Sequence, residues 1–302
     1  NICYLNCEKH FLTGQKMYLC AKSKRMTVLT FTIILICSAF LAGLLGSLTG
    51  LGGGVVVIPV LTLCFNIDFH YAIGAALVAS IATSSGSASA YVKEGITNIR
   101  LGMFLEIATT IGAVGGAFIA LWMPTNIIAV IFGLVLILTS AMQMRRKVDH
   151  TNVVGSELAR KLKLYGTYPT KDGEKKYELT NVGGGFSVML GAGVLSGLLG
   201  IGSGALKVLA MDAAMKVPFK VSTTTSNFMI GVTAVASAVV YIQRGYIAPG
   251  IAFPIMIGVL GGSLFGARLL KRLDVTVLRK IFVIAILLVA INMIYNGVMG
   301  EF

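Results

Sequence analysis

The sequence predicts an all-α integral membrane protein built from two inverted repeats, and three observations lead to this prediction. Of the 302 residues, 56% are hydrophobic and only 12% are charged, and the mean hydropathy is +0.86. This composition leaves too little polar surface to cover a soluble globule of this size. Long apolar stretches recur along the chain, and the second half repeats the first after a shift of 150 residues.

Eight apolar stretches reach or exceed membrane length, at about 31–65, 71–92, 99–121, 125–143, 186–215, 221–242, 249–270 and 276–295. A helix of about 20 residues crosses the hydrocarbon layer. The first and fifth stretches are too long for one crossing, and each contains a glycine cluster, "GLGGG" (50–54) or "GIGSG" (200–204). We therefore predict that each repeat has a glycine-broken re-entrant helical hairpin and three transmembrane helices.

The internal duplication is visible without a gap from Ala42 to about Leu121. Roughly 16 of about 80 positions are identical, against about 6 expected by chance for this composition. The glycines of the two clusters align, Gly50, Gly52 and Gly54 with Gly200, Gly202 and Gly204. The sequence thus predicts an N-terminal leader or extension (1–26), a first membrane repeat (27–144), a polar linker (145–185) and a second membrane repeat (186–302).

Charge in the loops predicts the topology. The linker is rich in Lys and Arg, which favours a cytoplasmic position. A single crossing by residues 186–215 would leave Lys216, Lys220 and the basic cluster at 271–280 outside, whereas a hairpin puts all of them inside. The two halves then have opposite orientations and the C-terminus lies outside. The same hairpin in the first half puts the N-terminus outside as well.

The glycine clusters are candidates for a binding site. Backbone N–H and C=O groups cannot stay bare in a bilayer, so a broken helix is tolerated where it faces protein or a wet cavity. Glycine allows a positive φ and a close approach of a ligand, and the half-helix after each break would present N–H groups to an anion. The candidates are Gly50, Gly52, Gly53, Gly54, Gly200, Gly202, Ser203 and Gly204. The alternative is helix packing, which we favour for the glycine pairs 112/116 and 262/266.

Hydroxyl-rich segments within apolar helices add a second group of candidates. "TSSGS" (83–87) and "STTTSN" (222–227) bring donors to membrane depth. These groups either bond to carbonyls of their own helix or line the site. The candidates are Thr83, Ser84, Thr224, Thr225, Ser226 and Asn227.

Two ionisable residues stand out within the apolar stretches. Lys207 lies three positions past Gly204, where a charge is costly and therefore indicates a functional site. It either serves as a fixed charge for an anion, pairs with Asp212, or extends its side chain toward a surface. Glu106 either carries protons or pairs with the nearby Arg100.

Other functional classes have little support in the sequence. The net charge of +13 comes from residues in short loops, without the basic and aromatic runs of a nucleic-acid-binding domain. No Ser/His/Asp arrangement or metal-ligand cluster recurs within the apolar stretches, so we predict no enzyme, no metal and no cofactor.

With these motifs in place, the sequence resembles the TauE/SafE family of sulfite exporters, also called the toluene-sulfonate uptake permease family. The resemblance rests on "GLGGGVVVIPVL" (50–61), "GVLSGLLGIGSGALKVLAMD" (193–212), "KVPFKVSTTTSNFMIGVTA" (216–234) and "YIQRGYIAPG" (241–250). It implies a multi-pass transporter in a prokaryotic cytoplasmic membrane that moves small sulfur-containing anions of the sulfite, sulfonate or sulfoacetate type, often outward, with a site between the repeats. An anion channel and a transporter of an unrelated small anion remain the alternatives, and a coupling proton and the oligomeric state stay open.

Overall fold

The computed structural model describes residues 28–49, 52–93, 95–144, 155–170, 173–269 and 275–300. The sequence predictions for residues 1–26, for Gly50 and for Lys271 and Arg272 lie outside the described residues. The described part of the first half contains α1 (Val28–Thr49), α2 (Gly54–Pro59), α3 (Phe69–Lys93), α4 (Ile99–Trp122) and α5 (Thr125–Met144).

The described part of the linker folds into a short helix and a β-hairpin that the sequence analysis did not predict. Helix α6 (Glu157–Lys161) begins at Ser156, whose hydroxyl accepts the N–H of Ala159. Strands β1 (Gly166–Thr170) and β2 (Gly173–Tyr177) pair antiparallel. The sequence of β2, "GEKKY", gives little signal because four of its five residues are exposed and only its tyrosine is buried. The all-α prediction is therefore correct for the membrane part and wrong for the linker.

The second half repeats the first in its helix boundaries. It contains α7 (Val182–Leu199), α8 (Gly204–Leu209), α9 (Phe219–Gln243), α10 (Pro249–Leu269) and α11 (Val275–Met299). Helices α2 and α8 each continue into a π-helical turn, Val60–Cys64 and Ala210–Ala214. Helices α8 to α11 each begin 150 residues after α2 to α5, respectively. The left-handed residues that follow the π-helical turns, Asn66 and Lys216, obey the same spacing.

One end of the helical bundle lies against the linker and is called the linker end. The Asn98 side chain, between α3 and α4, donates to the Leu164 carbonyl and to the Tyr177 hydroxyl, both at 2.8 Å. Burial raises the pKa of Tyr177 to about 12, so this phenol stays protonated at neutral pH. The Thr180 N–H donates to the Met215 carbonyl at 3.1 Å, and the loop after the second π-helical turn therefore also lies at the linker end.

The opposite end is called the distal end. Phe31, near the start of α1, packs edge-on against Phe65 with 5.1 Å between ring centroids. His70 stacks on Tyr246 at 5.0 Å and lies 3.3 Å from the Ala120 carbonyl oxygen through its Nε2. The start of α1 therefore lies at the same end of the bundle as the segments that follow the first π-helical turn, α4 and α9.

Small residues bring the backbones of α4 and α7, and of α1 and α10, into close contact. A Cβ on Gly112 would lie 2.2 Å from the Leu190 carbonyl oxygen, and one on Gly262 would lie 2.0 Å from the Phe40 carbonyl oxygen. These two contacts are the same contact in the two halves, shifted by 150 residues. The interpretation of the spaced glycines in α4 and α10 as packing positions is confirmed.

The helices carry the surface of a membrane protein. Six of them among the described residues are long and apolar enough to span a bilayer, and shorter apolar helices occupy Gly54–Cys64, Thr125–Ala141 and Val283–Met299. Large apolar side chains such as Trp122, Phe253 and Ile284 are exposed on the outside of the bundle. A surface of this kind is stable in lipid and not in water.

Adjacent glycines of α4 provide a test of the packing. A Cβ at Gly116 would lie 2.0 Å from the Val194 carbonyl oxygen, whereas one at Gly115 would meet nothing within 4 Å. We expect Gly116→Ala to lower the free energy of unfolding by about 1–3 kcal/mol, because α7 must move to admit the methyl group. Gly115→Ala should leave it unchanged or raise it slightly. Unfolding of both variants in mixed detergent micelles measures the difference, and equal stabilities would contradict close contact between α4 and α7.

Candidate functional site

The two glycine breaks meet inside the bundle. A Cβ on Gly54 would lie 3.1 Å from the Gly200 carbonyl oxygen, and one on Gly52 would lie 3.6 Å from the Ile201 carbonyl oxygen. Both described breaks are buried. The chain turns there through left-handed residues, with φ of 83° at Gly52, 67° at Gly200 and Gly202, and 43° at Ser203. The sequence-predicted glycines of the two halves thus form one buried contact region, and Gly50 lies outside the described residues.

Hydroxyl groups of α3 contact the first break. The Gly53 N–H donates to Oγ1 of Thr83 at 3.0 Å, and that hydroxyl donates to the Ala79 carbonyl at 2.8 Å. A Cβ on Gly54 would lie 2.7 Å from Oγ of Ser80. Only glycine fits there, because the backbone of α2 lies directly on the side chains of α3.

Helix α9 supplies the corresponding groups at the second break. The Ser226 hydroxyl donates to the Gly204 carbonyl at 2.9 Å. The Ser84 hydroxyl, from α3, donates to the Asn227 carbonyl at 2.6 Å and thereby links the two hydroxyl-rich helices. Four of the sequence-predicted polar residues, Thr83, Ser84, Ser226 and Asn227, therefore lie at or next to the breaks.

Several buried polar side-chain atoms in this region have no hydrogen-bond partner. They are Ser80 Oγ, Ser203 Oγ and both side-chain atoms of Asn227. Buried polar groups in proteins are nearly always paired, with protein, water or a ligand. Ser80 and Ser203 lie at the two breaks and Asn227 follows Ser226 on α9, so this region is a candidate site for a polar molecule.

A buried ion pair lies next to the second break. The Lys207 ammonium contacts the Thr233 hydroxyl and lies 3.8 Å from Oε2 of Glu106. Thr233 donates to Oε1 of Glu106 at 2.5 Å, and Thr110 donates to the same oxygen at 3.4 Å. The Lys207 side chain is fully buried and that of Glu106 is 7% exposed. The two charges compensate each other in surroundings that would penalise either one alone.

The Lys207 side chain extends back toward the break. Its backbone lies one turn into α8, where its N–H donates to the Ser203 carbonyl at 3.0 Å. Helical side chains point toward the helix N-terminus. The ammonium reaches Thr233, which follows Ile230, the side chain nearest to Gly202, by three residues or about 4.5 Å of rise. The ammonium therefore contacts α9 three residues beyond the side chain that lies against the second break.

The structure corrects two sequence interpretations of the charged residues. Lys207 meets Glu106 of the other half instead of depending on Asp212, and Glu106 pairs with Lys207 instead of Arg100. Residues five or six positions apart on a helix face different directions, about 140° and 120° apart. Neither local pairing suits helix geometry, and the true partner comes from a different helix.

The structure separates Thr224 and Thr225 from the other candidates. The Thr224 hydroxyl bonds to carbonyls of its own helix, Lys220 and Val221. The Thr225 hydroxyl accepts the N–H of Asn98 at the linker end. Three consecutive threonines point in three directions around a helix, so they could not all face the breaks.

Two polar residues at the site were missed by the sequence analysis. Ser80 and Thr233 lie three residues before Thr83 and ten after Thr223, respectively, outside the two hydroxyl-rich segments. The spacing of Ser80, Thr83 and Ser87 follows one face of a helix, a signal that could have identified Ser80. Thr233 occupies the position equivalent to Thr83 in the repeat, which could have identified it as well.

The candidate site is rich in hydrogen-bond donors. It combines backbone N–H groups, hydroxyls, an amide and one ammonium within a buried region. Among the described residues, no group of three His, Cys, Asp or Glu side chains could hold a metal ion. Such donors are suited to a small oxyanion.

A protein-family model shows which family this chain belongs to. The model described as "Sulfite exporter TauE/SafE" matches residues 35–293, which include both glycine breaks and the Lys207–Glu106 pair. The chain belongs to the TauE/SafE sulfite exporter family. The resemblance noted from its motifs is thereby confirmed.

Curated relatives of this TauE/SafE chain are named as transporters. Probable membrane transporter protein YunE of Bacillus subtilis (strain 168) is 28% identical over 274 residues, which cover 88% of this chain and 98% of that protein. Probable membrane transporter protein YdhB of the same strain is 25% identical over 253 residues, 82% of this chain and 94% of that protein. A probable membrane transporter protein of Methanocaldococcus jannaschii is 26% identical over 256 residues, 80% of this chain and 87% of that protein. No solved structure matches the chain. The protein is a multi-pass membrane transporter.

Thr83 allows a test of the first break. Thr83→Val keeps the shape of the side chain and removes the acceptor of the buried Gly53 N–H. We expect a loss of about 1–3 kcal/mol in the free energy of unfolding, the cost of leaving a buried donor unpaired. Thr223→Val is the matched control, because that hydroxyl bonds only to the Phe219 carbonyl of its own helix. Unfolding in detergent micelles compares the two variants, and an equal effect of both would show that Thr83 does not support the break.

Proposed function

We propose that this TauE/SafE protein is a secondary transporter that moves small sulfur-containing anions of the sulfite, sulfonate or sulfoacetate type across the cytoplasmic membrane of a prokaryote, in the outward direction. The observation that carries the proposal is the meeting of two glycine breaks beside a buried ammonium and unpartnered polar side chains. The description of the family as sulfite exporters supports the sulfur-containing substrate and the direction.

The proposal includes an inverted arrangement of the two halves, with repeats at 27–144 and 186–302 and a cytoplasmic linker at 145–185. Contacts at the bundle ends support it. The first hairpin starts and returns at the distal end, where Phe31 meets Phe65. The second starts and returns at the linker end, where Thr180 meets Met215. Opposite orientation of equivalent hairpins is the arrangement of inverted-repeat transporters, whose substrates bind near the midplane between the repeats.

The substrate in this proposal is held where the breaks meet. The Ser203 hydroxyl has no partner among the described residues and can donate to the oxygens of the substrate directly. Thr83 and Ser226, in contrast, must turn their hydroxyl protons from the Ala79 and Gly204 carbonyls to the anion. The unpartnered side chains of Ser80 and Asn227 support a role as direct ligands, because a bound oxyanion would satisfy them. Hydroxyl and amide donors bind sulfite, sulfonate and sulfate groups alike, since each of these groups presents oxygens around a pyramidal or tetrahedral sulfur.

Lys207 supplies the fixed positive charge in this proposal. A buried anion needs more than N–H dipoles, and an ammonium about 4 Å away contributes about 4 kcal/mol at an effective dielectric of about 20, before its desolvation is subtracted. The residue equivalent to Lys207 in the first half is Val57. The anion would therefore be held asymmetrically, closer to the second break.

The orientation in the membrane can be tested by cysteine labelling. In a variant without the native cysteines, Lys175→Cys of β2 and Gln243→Cys at the end of α9 lie on exposed positions at opposite ends of the bundle. We expect a membrane-impermeant maleimide added to intact cells to label position 243 and not position 175, because the basic linker stays in the cytoplasm. Labelling of position 175 from outside, with position 243 protected, would overturn the orientation.

Transport by a variant of the second break tests the site. A Cβ at Gly202 would lie 2.7 Å from Cγ2 of Ile230 at a left-handed φ, so Gly202→Ala should displace the break and reduce transport by about tenfold or more. Gly191→Ala is the matched control, since a Cβ there meets nothing within 4 Å. Proteoliposomes are assayed with sulfite, sulfoacetate, thiosulfate and sulfate. Transport that remains intact in Gly202→Ala would remove the break from the site. Anion movement that only ever follows the electrochemical gradient of the anion would favour a channel.

A further inference from the structure

The proposed site contains a carboxylate that an anion-binding site should not tolerate. Glu106 lies on α4 and pairs with Lys207, the ammonium assigned to the substrate. With Glu106 ionised, the pair is neutral as a whole, and an incoming anion would face a buried negative charge next to the ammonium that would bind it. Two negative charges placed close together in a poorly solvated region repel each other strongly, so the binding of the anion would be unfavourable.

The carboxylate is satisfied on one side only. Oε1 of Glu106 accepts hydrogen bonds from Thr233 and Thr110. Oε2 is buried and has no hydrogen-bond partner, and its nearest charged atom is the Lys207 ammonium at 3.8 Å. Oε2 is therefore the oxygen that can accept a proton without breaking an existing hydrogen bond.

We propose that Glu106 takes up one proton at Oε2 when the anion binds, so that each anion moves together with one proton. This inference rests on the proposed function. The Lys207 ammonium keeps its three protons and exchanges one partner for another, from the Glu106 carboxylate to the anion. The proton comes from bulk water, and Glu106 releases it when the anion leaves and the ion pair forms again.

No other ionisable side chain of the neighbouring elements is as well placed. Helices α5 and α7 have none along their lengths. Arg100 and Lys220 are exposed, at the linker-end starts of α4 and α9. Asp212 is half-buried on the π-helical turn. Tyr241 donates to the Gly197 carbonyl, near the distal end of α9.

The duplication limits the number of protons to one. The positions equivalent to Lys207 and Glu106 in the repeat are Val57 and Met256, which cannot titrate. A divalent anion would then cross with a net charge of −1 and a monovalent anion without net charge. The inside-negative membrane potential favours outward movement of the divalent anion with its proton, in agreement with export.

Proton uptake by the wild-type protein in detergent measures the coupling directly. Purified protein in a weakly buffered solution with a pH indicator receives sulfate or thiosulfate, whose charge is constant from about pH 5 to about pH 8. We expect uptake of one proton per bound anion, and binding that tightens by up to about tenfold for each unit decrease in pH. Binding of an anion without proton uptake would overturn the coupling and leave the proposed function intact. Failure of every sulfur-containing anion to bind would overturn both.

Two substitutions identify the proton-binding group. Glu106→Gln mimics the protonated carboxyl, so we expect it to bind the anion at high pH at least as tightly as the wild type does at low pH, with no proton uptake and no pH dependence. Asp212→Asn removes the other acidic group of the region. This variant should keep the proton uptake and the pH dependence of the wild type. If Glu106→Gln retains the pH dependence, the proton resides elsewhere and the assignment is wrong. Should Glu106→Gln fail to fold, the stoichiometry of the wild type and its loss or retention in Asp212→Asn still decide.

Discussion

A helix that breaks inside a bilayer leaves backbone N–H and C=O groups that lipid cannot satisfy, and the rest of this structure depends on meeting that demand twice. Hydroxyls of α3 and α9 bond to the backbone at the breaks. The Thr83 hydroxyl accepts the Gly53 N–H, and the Ser226 hydroxyl donates to the Gly204 carbonyl. The hydroxyls can reach the breaks only if the backbones approach closely, which requires glycine at the contact. The helices that hold each hairpin in place, α4 against α7 and α1 against α10, are packed through glycine for the same reason.

The parts of this fold that could be predicted from the sequence are those that local chemistry specifies. Left-handed turns and close backbone contacts demand glycine, so the breaks and their repetition after 150 residues are visible in the sequence. The spans follow from apolar length, and helices α3 to α5 and α9 to α11 begin within two residues of the predicted stretches. The β-hairpin of the linker could not be predicted in this way, because Tyr177 is the only buried residue of β2 and the other four read as ordinary polar loop.

The site was predictable in its residue types and not in its pairings. Lys207 stands out because burying a charge in an apolar segment is costly, wherever its partner lies. Its partner Glu106 comes from a helix of the other half, and no local spacing encodes the way α4 crosses α9. The hydroxyl-rich segments divide for a related reason. Neighbouring residues on a helix diverge by 100°, so Ser226 reaches the break while Thr225 reaches Asn98 at the linker end.

Divergence between the two halves gives them different physical tasks. Thr83 and Thr233 are equivalent in the repeat, yet the first supports the backbone of a break and the second bridges Lys207 and Glu106. A second ion pair at Val57 and Met256 would require two more charges to leave water, which is expensive even when they are paired. Two ammonium groups around one anion would also slow its release, and a transporter must release what it binds. In the proposed mechanism the second half therefore contributes the fixed charge of Lys207, and the first half contributes the Glu106 carboxylate, whose charge changes during transport.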